Sequence, residues 1–142
     1  MSQVVLISCV SKKRDYTCKA RDLYISDLFK KSLEYAEMVL KADKIFILSA
    51  EYGLVPIDKV IAPYDKTLNK MNKIERLVWS KLVLEDLKQY IDINNDAVTF
   101  LAGKRYREYI EPHIKNVNVP MEGLGIGQQL RYLKEKIHEY RM

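Results

Sequence analysis

No stretch of this sequence approaches the ~20 consecutive apolar residues that a membrane-spanning helix requires, so a helical span is not expected. Cysteine is scarce: Cys9 and Cys18 are the only two. Their spacing is neither a C-x-x-C redox pair nor half of a zinc ribbon, and without an export signal they read as free thiols. Histidine is as sparse. His113 and His138 fall in different expected helices, which denies a structural metal site its clustered ligands. No cofactor is expected. The opening Met1-Ser2-Gln3, followed directly by Val4-Val5-Leu6-Ile7, lacks the basic segment and length of a signal peptide. The expected location is therefore the cytoplasm, and a membrane is not an expected partner. Neither G-x-x-x-x-G-K-[ST] nor G-x-G-x-x-G occurs, which argues against the common phosphate and dinucleotide loops. Repeats, low-complexity tracts and linkers are missing too, so one domain is expected over residues 1–142.

Charge is where the composition leans. Lys and Arg number 24 against 19 Asp and Glu, a net charge of +5, and such a balance favours anionic partners such as nucleic acid or nucleotides. The excess is local. Lys12, Lys13, Arg14, Lys19 and Arg21 are opposed within their segment by Asp15 alone. With 48% apolar residues the chain also has enough to bury a core.

The apolar pattern orders the elements. Residues 4–8 and 45–48 are continuous apolar runs, suited to strands buried on both faces. Leu23, Leu28, Leu33, Ala36, Val39 and Leu40 put one apolar face on a helix expected over 22–41. A long connection, 50–71, is too apolar for disorder and too long for a mere turn, which marks it as functional. Asn72, with Glu75 three residues on, caps a helix expected to reach Ile91 and to bury Ile74, Leu77, Leu84, Leu87 and Ile91. Strands at 97–102 and 116–119, a short helix at 104–113 and a last helix at 128–140 complete the chain. Alternating strands and helices imply an α/β fold. We expect a three-layer sandwich with a mostly parallel sheet of about four strands and helices on both faces.

In such a sheet ligands bind beyond the carboxyl ends of the strands, and there the sequence is unusual. Ser8, Cys9, Lys12 and Lys13 follow the first strand, in a loop of small donors and positive charge suited to a phosphate or carboxylate, or else simply solvated. Cys9 has no histidine near it in sequence, and an inert thiol is the simpler reading. Ser49, Tyr52 and Gly53 follow the second strand, with Tyr64 and Asp65 further along the same connection. Gly103 and Tyr106 follow the third. Glu122, Gly123, Gly125 and Gln128 follow the fourth, where glycines approach a helix start that suits an anion or a tight turn. Ten tyrosines are an unusually large share. A tyrosine buries its ring and keeps a polar end, so some serve the core and others can stack on a base.

Five of these segments carry a resemblance. Ile7-Ser8-Cys9-x-x-Lys12-Lys13, Leu48-Ser49-Ala50-x-Tyr52-Gly53-Leu54, Pro63-Tyr64-Asp65-x-Thr67-Leu68, Gly103-x-x-Tyr106 and Gly123-x-Gly125-x-Gly127-Gln128 resemble a family of small bacterial and phage proteins catalogued as a domain of unknown function. The likeness covers nearly the whole chain. The Ser-x-x-Tyr-Gly-Leu and Pro-Tyr segments are also similar to the YaaA peroxide-stress proteins, and that similarity implies DNA binding.

The leading expectation is a nucleic-acid- or nucleotide-directed protein that hydrolyses an N-glycosidic bond. Lys12 and Lys13 would hold phosphate, Tyr52 or Tyr64 would stack on the base, and Asp65 or Glu122 would act as acid or base. A DNA-binding protein without catalysis and a nucleotide-sensing module use the same loops and stay open. The oligomeric state is not legible.

Overall fold

The computed structural model of the chain describes residues 1–8 and 12–142. Its elements run β1 (Gln3–Ser8), β2 (Cys18–Lys19), α1 (Ala20–Leu23), α2 (Asp27–Glu34), β3 (Lys44–Ser49), β4 (Gly53–Pro56), β5 (Val60–Ile61), α3 (Lys73–Leu87), β6 (Ala97–Leu101), α4 (Lys104–Arg107), β7 (Asn116–Asn118) and α5 (Ile126–Arg141). The main sheet has the order β4-β3-β1-β6-β7. β1 pairs in parallel with both β3 and β6, and β6 pairs in parallel with β7. β4 alone runs antiparallel, folded back on β3 from Gly53, whose φ of 74° favours glycine.

Strand periodicity divides the core in two. Val4 and Leu6 of β1 join Phe46, Leu48, Val98 and Phe100 beneath Trp79, Val83, Leu84 and Leu87 of α3 and Tyr106 of α4. Val5 and Ile7 face the other way. They pack with Ile47 and Leu101 against Leu23 of α1, Phe29 of α2, and Leu133 and Ile137 of α5. Helices therefore cover both faces, as an α/β sandwich requires. No helix of the described residues is long and apolar enough to cross a membrane.

The elements differ from the sequence expectation in four places. The connection 50–71 is not structureless: β4 extends the sheet to five strands, and β5 pairs antiparallel with β2 in a small second sheet. The helix expected over 22–41 is broken. α1 ends at Leu23, Tyr24 bridges Lys13, and α2 starts afresh where the Ser26 hydroxyl accepts the Phe29 N–H at 3.2 Å. α2 then widens into a π-turn over Tyr35–Val39. The short helix after Gly103 is only α4, followed by a 3-10 turn over Glu111–His113 that contains Pro112. Finally, α3 does carry its reciprocal Asn72–Glu75 capping box, but Ile74 and Leu77 point to solvent rather than into the core.

One carboxylate ties the amino ends of β1 and β6 together. Asp96 accepts the Ser2 N–H and the Asp92 N–H, each at 2.8 Å. The Ser2 bond first, and the Asp92 bond second, hold its carboxyl below the ordinary aspartate range. A depressed folded value contributes stability that is present above the unfolded value and lost as pH falls through the folded one. Asp96→Asn is accordingly expected to lower the urea midpoint at neutral pH and to lose less of its remaining stability below about pH 4 than the parent does. Paired urea titrations at the two pH values measure this. Equal pH slopes in the two proteins would refute it.

Candidate functional site

The strand order places a topological switch point between β1 and β6. The chain leaves β1 towards β3 on one side, then crosses back over β1 to reach β6 on the other. Connections that diverge in this way open a crevice at the carboxyl ends of the two strands. A groove of about 610 Å³ lies there, within the range of ligand pockets. Ser8, at the end of β1, and Leu101, Ala102 and Gly103, at the end of β6, line it. The Gly103 N–H donates to the Ser8 hydroxyl at 3.2 Å, so the two strand ends are stitched across the crevice.

Two helices, α2 and α5, bring their amino ends to this groove. Ser26 and Asp27 begin α2, and Ile126 follows Gly125 at the start of α5. The exposed N–H groups and dipole of a helix start favour an anion, although Asp27 offsets part of that field at α2. Lys104 and Arg105 add full positive charges at the rim, both side chains exposed. The wall between is apolar, built from Leu28, Phe29, Ile126 and Leu130. An apolar slot with a cationic rim suits an anion that carries an apolar body.

A second cavity, about 570 Å³, adjoins the first and shares Ala102, Gly103, Lys104 and Gln129 with it. Met121, Glu122, Gly123, Leu124 and Gly125 form its far side. Gly123 turns there at φ 82°. The Gln128 side chain accepts the Gly125 N–H at 3.0 Å, and the Gln129 side chain donates to the Leu124 carbonyl at 2.8 Å. These amides fix the loop rather than standing ready to read a base. Arg107 lines the same cavity, but its guanidinium donates to the Ala102 carbonyl at 3.1 Å and to Glu111 at 2.8 Å. Its charge is spent on structure, whereas Lys104 and Arg105 have no ion pair among the described residues.

A third cavity, about 530 Å³, gathers Lys12, Lys13, Arg14 and Asp15 with Pro63, Tyr64 and Asp65. The Lys13 ammonium stands 4.5 Å from the Tyr64 ring centre, a cation–π contact. Tyr52 meets Tyr64 edge-on at 5.6 Å and donates its hydroxyl to the Ala62 carbonyl. This cavity and the groove have no lining residue in common. The Ile25 N–H, next to Ser26 of the groove, donates to the Lys12 carbonyl at 3.0 Å.

The structure therefore sorts the residues picked out in the sequence. Ser8 and Gly103 line the groove, as does one edge of Tyr106, and Glu122, Gly123 and Gly125 line its neighbour. Tyr106 is nevertheless mostly core: its hydroxyl accepts the Leu68 N–H at 3.3 Å, and its ring meets Trp79 edge-on. Lys12, Lys13, Tyr64 and Asp65 form the third cavity, and Tyr52 borders it rather than sharing a crevice with Ser8 and Glu122. Asp65 and Glu122 thus line different cavities. Ser49 is fully buried, its hydroxyl accepting the Tyr52 N–H and its carbonyl the Trp79 indole N–H, which makes it a turn-former. Gly53 serves the reversal into β4. Gln128 is committed to the Gly125 N–H, and Cys9 lies outside the described residues. Sequence reasoning missed Ser26, Asp27 and Phe29; it marked the loop that holds Lys104 and Arg105 but chose its flanking Gly103 and Tyr106 as the candidates. The Ser26-Asp27 helix-start signal was available for the first three, hidden by the helix assumed to begin at Asp22.

The model of a family of unknown function, DUF6884, matches residues 4–135, and the chain belongs to that family. No curated protein and no solved structure matches it.

Proposed function

We propose that this member of the DUF6884 family binds a nucleotide unit, free or within a nucleic-acid strand, and hydrolyses its N-glycosidic bond. The observation that carries the reading is the groove at the β1/β6 switch point, with an apolar wall, two helix amino ends and the Lys104–Arg105 rim. The base would lie against Phe29 and Leu130, and the phosphate would meet the rim and the helix starts. In the hydrolysis the C1′–N bond breaks, water supplies the new hydroxyl, and the base leaves with the other proton. Glu122, which lines the adjoining cavity, would activate that water or steady the oxocarbenium-like centre.

A second reading has an observation of its own. Asp65 and Glu122 do not share a cavity, so they form no acid–base pair around one substrate, which favours binding without turnover.

Titration with nucleoside monophosphates and short single-stranded DNA and RNA, repeated across salt, tests the binding that both readings need. The double variant Lys104→Ala/Arg105→Ala is expected to weaken both kinds of ligand and to flatten the salt slope for single strands by about 1.4. Lys12→Ala/Lys13→Ala is expected to weaken strands alone, because its cavity shares no lining residue with the groove. No binding by any of these ligands would overturn both readings.

A further inference from the structure

Two polar side chains of the groove are used neither by its cationic rim nor by its apolar wall. Asp27 opens α2, yet the Ser26 hydroxyl caps that helix, and the Asp27 carboxylate has no hydrogen-bond or ion-pair partner among the described residues. Asn69 lines the same groove, and through it the long connection 50–71 reaches the site. The turn that carries Asn69 is pinned. Leu68 is fully buried with its N–H on the Tyr106 hydroxyl at 3.3 Å, and the Asn69 N–H donates to the Thr67 hydroxyl at 3.2 Å. The Asn69 side-chain amide nonetheless has no partner among the described residues. By contrast, Ser8, Ser26, Tyr106 and Gln129 of the groove are bonded within the protein.

A carboxylate in a groove that attracts anions works against its ligand unless the ligand brings a donor to it. Carboxylate and phosphate both accept hydrogen bonds, so neither satisfies the other, whereas an amide donates as well as accepts. Asp27 and Asn69 together therefore match a group that donates and accepts at one atom, and a hydroxyl is such a group. Resting on the reading of the groove as a nucleotide site, we propose that these two residues select a ribonucleotide. The ligand's 2′-hydroxyl donates to the Asp27 carboxylate, and the Asn69 amide donates to its oxygen. Among the sugar hydroxyls the 2′ position stays free both in a nucleoside 5′-monophosphate and inside a strand, where the 3′ and 5′ oxygens carry phosphate. It is also the group that tells RNA from DNA.

An acid in the first turn of a helix also complements the helix dipole, which is the ordinary reason for one to stand there. That role concerns stability and is indifferent to the sugar of a ligand. Selection of a hydroxyl makes a different demand. Removing the carboxylate must weaken the ribonucleotide, yet it must spare or tighten the 2′-deoxy compound, which otherwise faces an unanswered negative charge. The opposite signs separate the two roles. Because Thr67 and Tyr106 hold the Asn69 turn before any ligand arrives, little ordering is left to offset the contact.

Isothermal titration calorimetry of the intact chain tests this with ribonucleoside 5′-monophosphates, their 2′-deoxy counterparts, and short RNA and DNA strands of one sequence. For the base that binds best, the ribonucleotide is expected to bind about tenfold tighter than the deoxyribonucleotide, the scale of one hydrogen bond to a charged group in an open groove. Its 2′-O-methyl derivative, which keeps the oxygen but has no proton to donate, is expected to bind no better than the deoxy compound. Asp27→Ala is expected to bring ribo and deoxy ligands within about twofold, through loss of the first and not the second. Asn69→Ala is expected to narrow the preference to about threefold. Both variants should melt within a few degrees of the parent, since the side chains are exposed and one first-turn acid contributes little. A parent without preference, a preference that survives Asp27→Ala, or equal losses of both ligands in that variant would overturn the selection and leave the nucleotide reading standing. Absence of binding by every one of these ligands would overturn the nucleotide reading and the selection with it.

Discussion

Phe100→Ala is expected to cost about 3–5 kcal/mol of folding stability, within the range for emptying a phenylalanine site in a core. Phe100 is fully buried on β6, in register with Leu6 of the central strand, and it packs in the cluster that also holds Trp79, Val83 and Tyr106. Its ring thus bridges sheet and helix at the point where α3 crosses over. A domain of this size has about 5–15 kcal/mol in total, so the substitution would remove a large part of it. The melting temperature would fall by roughly 10 °C or more. Urea unfolding of parent and variant, with Phe100→Leu as a milder control, measures the cost. A loss under about 1 kcal/mol would mean that the layer refills the site by collapse, and that the core is more plastic than two close-packed faces imply. The effect also reaches the groove, since Leu101, Ala102 and Gly103 follow Phe100 directly and line it.

The sheet was legible because its parallel strands are buried on both faces. Val4–Ile7 and Ile45–Leu48 need no alternation, and a continuous β-branched run has few other uses. β4 was not legible for the opposite reason. An edge strand of four residues, ending in Pro56, resembles a loop until its register with β3 is seen. α3 carries apolar residues on both sides, Val83, Leu84 and Leu87 inward and Ile74, Val78 and Leu82 outward, so no period in the sequence separates core from surface. Ile74 and Leu77 were assigned to the core on that account. The candidate site shows the same mixture. Post-strand polarity drew attention to Ser8, Gly103 and Glu122, which line cavities, and equally to Ser49, which is turned inward to form a turn. Nor could it find Phe29, whose place at the groove depends on a helix restart that Leu23 and Leu28, five residues apart, conceal. Part of the tyrosine signal was core chemistry, since Tyr24, Tyr35 and Tyr106 are buried. Tyr35 and Tyr132 meet edge-on between the π-turn and α5, and burial first, then the Tyr132 hydroxyl, pushes the Tyr35 phenol upward.

Glu122→Gln is expected to reduce N-glycosidic turnover about 10²–10⁴-fold, the usual contribution of a positioned acid or base, and to leave the melting temperature unchanged. The residue is exposed on the turn after β7, and the backbone holds it there through Glu122 N–H to the Val119 carbonyl at 3.2 Å. An amide of the same size keeps that turn and removes only the charge and the exchangeable proton. Asp65→Asn should behave differently. Asp65 stands with Lys12 and Lys13 in the separate cavity, where a carboxylate opposes a strand phosphate, so its removal should tighten strand binding and change turnover less than about tenfold. Base release from single- and double-stranded DNA, RNA and free nucleotides, run beside thermal melts of all three proteins, separates the two roles. Full activity in Glu122→Gln, or equal losses in both variants, would remove Glu122 from the reaction. A parent that binds strands with a steep salt dependence and releases no base would favour the binding-only reading, and the groove would then serve recognition alone.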